Sequence, residues 1–176
     1  SMEVVFAGSY ASVIAIHIVA LLLISTLTIP KPGEEERRGK GRSLLEVASQ
    51  PAYIVAVISG MIGYGVMNLV MAATPLAMHY YEHSFSSTAF VIQWHILGMF
   101  VPSFFTGHLI KRFGVLNIMT IGGITLIGCV ISSFSGVGVW HFWVGLVLLG
   151  IGWNFLFIGA TSLLTETYQP AEKAKA

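Results

Sequence analysis

Five long apolar runs divide this chain, and short polar breaks separate them. The first extends from Val4 to Ile29 and is stopped by Pro30 and Pro32. The second, Ala52 to Met78, is entered through Pro51. The others are Ser86 to Leu109, Val115 to Ser135 and Val139 to Thr165. A helix that crosses a bilayer needs about 20 mostly apolar residues, and every run is long enough. Lipid offers no water to backbone amides, so a helix, which bonds its own, is the economical conformation for such a run. None shows the two-residue alternation of a membrane barrel. The pattern predicts an all-α, polytopic membrane protein with five transmembrane helices.

The longest break, residues 30–51, holds Glu34, Glu35 and Glu36 followed by a basic cluster. It reads as a disordered start and then a short amphipathic piece, Ser43 to Ser49, whose Leu44, Leu45 and Ala48 would rest on a membrane surface. A plain solvated linker accounts for the same residues equally well. Residues 1–29 are thus one helix, 30–51 a polar loop, 52–165 four helices, and 166–176 a tail. Alanines at 7, 11 and 15, and the pairs Gly8–Ser12 and Gly128–Ser132, recur every four residues. Such spacing lets helices approach closely in a membrane.

Charge supports the same reading. Only 10% of residues are charged, against about 25% in a soluble domain, too few to build a water-facing surface. The nine Lys and Arg residues fall in three places: Lys31, Arg37, Arg38, Lys40 and Arg42; Lys111 and Arg112; Lys173 and Lys175. Basic residues stay on the cytoplasmic side, so the first residues are expected outside and the last inside, as five crossings require. The start is acidic at Glu3 and its apolar run too long for a cleaved signal peptide. Ser1, ahead of Met2, reads as a cloning remnant. A net charge of +1 gives no reason to expect nucleic acid as a partner, and a single cysteine, Cys129, leaves no disulfide framework.

Polar groups within the runs are the candidates for function, because lipid makes them costly. Asn68 shares a helical face with Met61, Tyr64, Gly65, Met71, Ala72 and Pro75, a plausible cavity wall. Asn154 shares one with Thr161 and Thr165. Gln93 and His95 lie roughly 200° apart around their helix, so both cannot face one cavity. His17 is central in the first run. For Asn68, Asn154 and His95 a bond that merely holds helices together explains the residue as well as a substrate contact does; for Gln93 and His17 it explains it better. No Asp occurs anywhere, and no Glu or Lys lies deep in a run, which weakens coupling through a buried carboxylate in this segment. His79-Tyr80-Tyr81-Glu82-His83 matches the H-x-x-E-H pattern of inverted zinc peptidases, but it falls in a short outer loop where only Glu3 could complete a site. No metal site, cofactor or catalytic set is expected, and the chain reads as a non-enzyme.

The segment Gly107-His-Leu-Ile-Lys-Arg-Phe-Gly114 resembles the signature loop of the major facilitator superfamily, loosely G-x-L-a-D-r-x-G-r-k. Gly107, Leu109, Arg112 and Gly114 agree with it. Lys111 stands where the signature has Asp, and Val115 and Leu116 replace its basic pair, as suits the often degenerate second copy. Gly63 to Met78 looks like the seventh helix of bacterial members of the family. Gln93-Trp-His95 and Pro102-Ser-Phe-Phe-Thr-Gly107 look like the eighth, and Gly150 to Thr161 like the tenth. On this resemblance the chain carries helices six to ten of twelve, with residues 30–51 as the cytoplasmic loop between the halves. It would need the missing helices, and a truncated gene product is the expected reason for its length.

What the resemblance implies is part of a secondary transporter in the bacterial inner membrane. It would move a small solute, unidentified from sequence, by alternating access. Tyr64, Asn68, His95 and Asn154 would line the cavity, and Gly107, Lys111, Arg112 and Gly114 would form a gating loop. A non-transporting accessory or scaffold subunit is the alternative.

Overall fold

The computed structural model describes residues 7–28, 41–169 and 172. The expected helix ends at Val4 and Ile29 and the acidic and basic run from Pro30 to Lys40 lie outside those residues, as do Lys173 and Lys175. Helix α1 (Ala7–Ser25) is apolar on every side. Its polar groups turn back on its own backbone. Ser12 Oγ donates to the Gly8 carbonyl at 2.9 Å, and His17 Nδ1 to that of Val13 at 2.8 Å. Such bonds let a helix carry polar side chains through lipid.

The segment from residue 41 onward forms a helical unit of its own. Helix α2 (Leu44–Ala48) starts at a capping box: Ser43 Oγ accepts from Glu46 N, and the Glu46 carboxylate accepts from Ser43 N at 2.8 Å. Leu44 and Leu45 are exposed, while Val47 is buried. Helix α3 (Pro51–Tyr80) begins with Pro51, where the missing N–H costs nothing. Its 30 residues span about 45 Å, more than the ~30 Å hydrocarbon layer.

The third apolar run is not one helix, as expected, but two. Helix α4 (Phe85–Phe100) and helix α5 (Ser103–Phe113) meet at 42°. Pro102 is the cause. It has no N–H for the Gly98 carbonyl, and its ring cannot pass the preceding turn. Val101 N still reaches Leu97 O at 2.9 Å, whereas Phe105 N and Thr106 N both converge on Pro102 O. Helices α6 (Val115–Ser135) and α7 (Val139–Thr165) have the expected bounds. Among the described residues four helices can each cross a membrane by length and composition, and the bent pair supplies a fifth span.

Helix α7 is the hub: α3, α4 and α6 pack along it and hardly touch one another. Glycines permit this. A Cβ on Gly150 would meet Gly98 C at 2.9 Å, and one on Gly122 would meet the Gly152 carbonyl at 3.0 Å. These two crossings, with α4 and α6 respectively, bring backbone against backbone. Away from α7 the helices present large apolar side chains. Leu69, Leu76 and Phe104 are each more than 70% exposed, a surface that suits lipid or further helices and not water.

A strap closes the end of the unit that holds α2. The Glu172 carboxylate is 1% exposed and forms a two-pronged ion pair with the Arg42 guanidinium. Nε lies 2.9 Å from Oε1 and an Nη 2.8 Å from Oε2. Arg42 N and Gln169 N also donate to the carboxylate. Arg42 and Gln50 both donate to the Thr167 carbonyl, at 3.0 and 2.9 Å. The segment before α3 is thereby tied to the segment after α7.

Candidate functional site: a groove between α3 and α4

Because α3 and α4 share α7 but scarcely meet, a groove runs between them. Helix periodicity fixes its base. On α7, Leu156 and Ala160 pack on Gly63 and Gly60 of α3, while Gly150 and Asn154 meet Gly98 and Met99 of α4. Trp153, Phe157 and Thr161 recur every fourth residue between those two contact lines, so they lie along the groove floor. Trp153 and Phe157 are parallel, 11° apart in plane with centroids at 4.9 Å.

The α3 wall carries Tyr64 and Asn68, both exposed. The Tyr64 ring sits 6.3 Å from that of Phe157, tilted by 40°. Asn68 Nδ2 donates to the Tyr64 carbonyl at 3.1 Å, and among the described residues its Oδ1 has no partner. Farther along, Pro75, His79 and His83 face Phe85, Thr88, Ala89, Ile92 and Gln93 of α4 across a cleft of about 480 Å³. That volume falls in the range of small-molecule sites. Gln93, separated from His95 by the helix turn as expected, lines this cleft.

His95 and Asn154, expected on a cavity wall, lie behind it, each 0% exposed. His95 Nδ1 donates to the Leu146 carbonyl at 2.9 Å. Its Nε2 has no partner among the described residues. Asn154 sits opposite the break. Its Nδ2 donates to the Met99 carbonyl at 2.7 Å and to Ser103 Oγ at 2.6 Å, and its Oδ1 accepts from Thr106 Oγ1 at 2.6 Å. The Met99 carbonyl is one that the Pro102 break leaves without a backbone partner; Asn154 supplies the short bond to it, and Ser103 Oγ a longer one at 3.4 Å.

Gly107, Lys111 and Arg112, read from sequence as loop residues, belong to the last two turns of α5. Lys111 and Arg112 end that helix, where cations suit the helix dipole. The turn is Gly114 alone, at φ +88°, a backbone that glycine adopts without strain. At the other end, His83 bonds the Val137 carbonyl at 2.7 Å. No group of three His, Cys, Asp or Glu residues that could hold a metal occurs among the described residues. Near that end Trp143 stacks on Trp140 with centroids at 4.5 Å and meets Trp94 edge to face at 5.4 Å. Such an aromatic cluster suits a membrane–water boundary.

The sequence singles out Tyr64 and Asn68, which the structure places on the groove wall, and does not single out Trp153 and Phe157. Trp153 and Phe157 look like ordinary apolar residues in a run, and only the packing of α7 shows where they point. Their four-residue spacing on the face of Thr161 was the available signal.

A family model described as Major Facilitator Superfamily matches residues 3–176. The chain is similar to the riboflavin transporter RfnT of Brucella anthropi, 42% identical over 176 residues, which cover 99% of this chain and 44% of that protein. It is 29% identical to the uncharacterized MFS-type transporter YddS of Bacillus subtilis over 157 residues, 88% of this chain and 36% of the relative. Against YdeG, another uncharacterized MFS-type transporter of that species, identity is 36% over 112 residues, 62% of this chain and 26% of the relative. The chain therefore spans less than half the length of the curated relatives it matches. No solved structure matches it.

Proposed function

The chain belongs to the major facilitator superfamily, and we propose that it forms part of a transporter for riboflavin or a closely similar planar solute. It is a multi-pass membrane protein of a transport family, and the accessory-subunit reading is not favoured. The observation that carries the substrate is 42% identity to a riboflavin transporter across 99% of this chain. The groove between α3 and α4 supports it: Trp153 and Phe157 lie on its floor, Tyr64 on its wall, and a cleft of about 480 Å³ opens farther along it beside His79 and Gln93.

In this proposal residues 1–29 are the last helix of the first half, 30–51 the cytoplasmic connection, and 52–165 four helices of the second half, with 166–176 a cytoplasmic tail. Tyr64 and Asn68 contact solute. His95 and Asn154 position the walls from behind. Gly107, Lys111, Arg112 and Gly114 form a cytoplasmic hinge at the end of α5. The halves rock about a solute held near the midplane, in the bacterial inner membrane, with the first residues outside.

The test is uptake. A riboflavin-auxotrophic bacterium that lacks its own transporter should grow on micromolar riboflavin when it expresses the full-length protein, and should accumulate labelled riboflavin. Absence of growth and accumulation with the protein present in the membrane refutes the substrate assignment. Orientation has a separate check. A membrane-impermeant thiol reagent should reach a cysteine at Tyr81 in intact cells, and one at Arg38 only after permeabilisation. Labelling of both from the same side would contradict the threading.

A further inference from the structure

We infer that Phe157, faced by Tyr64 and backed by Trp153, is the ring-stacking subsite of the groove and selects its solute by the flat heteroaromatic system. This deepens the riboflavin reading and rests on it.

Three observations support the inference. The first is position. Phe157 lies on α7 between the line that meets α3 and the line that meets α4, so its exposed part opens into the groove. The second is geometry. Trp153 and Phe157 are parallel at 4.9 Å, and Tyr64 stands 6.3 Å from Phe157 at 40°. Two of these rings already form a stack, and the third stands beside it at a tilt. A flat tricycle docking on the groove side of this cluster would lie against Phe157 and Tyr64 together. The third is a free acceptor: the exposed Asn68 amide spends its Nδ2 on the Tyr64 carbonyl, and its Oδ1 has no partner among the described residues.

Around this stack the polar groups are uncharged: the Asn68 amide one turn beyond Tyr64 and the Thr161 hydroxyl one turn beyond Phe157. An isoalloxazine has the matching chemistry. Its ring faces stack on aromatics, and its pyrimidinedione edge takes hydrogen bonds from amides and hydroxyls. Stacking recognises a π-face and tolerates variation elsewhere in the molecule. The subsite should therefore bind lumichrome, which is the ring system without the sugar-alcohol chain, and should ignore ribitol, which is the chain without the ring.

The experiment uses the full-length protein in proteoliposomes. Phe157→Leu should raise the KM for riboflavin about tenfold, the loss expected for one stacked ring, and leave kcat within twofold. Tyr64→Leu should act in the same direction, and Phe157→Tyr should restore the wild-type KM. Lumichrome should compete with riboflavin and quench tryptophan emission in the wild type, about tenfold more weakly in Phe157→Leu. Ribitol should do neither. A wild type that transports riboflavin, with both leucine variants folded and within twofold of its KM, overturns the subsite and leaves the transport reading standing. A wild type that carries no riboflavin but binds lumichrome through Phe157 overturns the substrate and leaves the subsite. Competition by ribitol equal to that by lumichrome overturns ring selection.

Discussion

Asn154 does at one position what a continuous helix would otherwise do with its backbone. Pro102 frees carbonyls in the middle of a span, and Asn154 supplies a donor to Met99 while also engaging Ser103 and Thr106. A buried polar group stripped of its partner costs about 1–3 kcal/mol. Asn154→Leu should therefore lower the thermal midpoint of the purified full-length protein in detergent by several degrees, whereas Asn68→Leu, on an exposed face, should leave it unchanged. Equal midpoints for both variants would show that the break is held some other way. From sequence the two asparagines were indistinguishable: each was a lone amide in an apolar run. What separates them is the partner helix, which periodicity within one helix cannot report.

Between elements, the strap from Arg42 to Glu172 is a two-pronged ion pair outside the spans. The guanidinium and two backbone N–H groups hold the Glu172 carboxyl well below its ordinary 4.5, at about 2. The pairing also raises Arg42, which stays charged throughout. A carboxyl lowered by folding contributes stability that is fully present above its unfolded value and fades as pH falls toward its folded one. The gap in thermal midpoint between wild type and Glu172→Gln should thus be constant from pH 8 to 5 and shrink only as pH drops from 4.5 toward 2. A gap that closes near neutrality would remove the strap from the account. Hydropathy laid out the spans well because it counts apolar residues over a whole helix. It passed over the α4–α5 break because Pro102 sits inside a run whose average is still apolar. The Arg42 contact was not legible at all, since it joins residues 130 apart in sequence.

On the scale of the whole unit, one glycine-rich helix organises everything. Helix α7 receives α3, α4 and α6 on separate faces, and the helices it holds apart leave the groove. The polytopic class and the family were readable from apolar runs and from the segment Gly107 to Gly114. The groove was only partly readable, because it is made by several helices and each contributes residues that look unremarkable alone. Solute binding in this groove is therefore the central point to test. The direct measurement is solute protection of a single cysteine. With the buried Cys129 replaced by Ala in the full-length protein, a cysteine at Asn68 should react with a membrane-permeant maleimide, and saturating riboflavin should slow that reaction severalfold. A cysteine at Leu69, on the outward face one residue away, should react at the same rate with and without riboflavin. Unchanged reaction at Asn68 in protein shown to bind riboflavin would contradict the account.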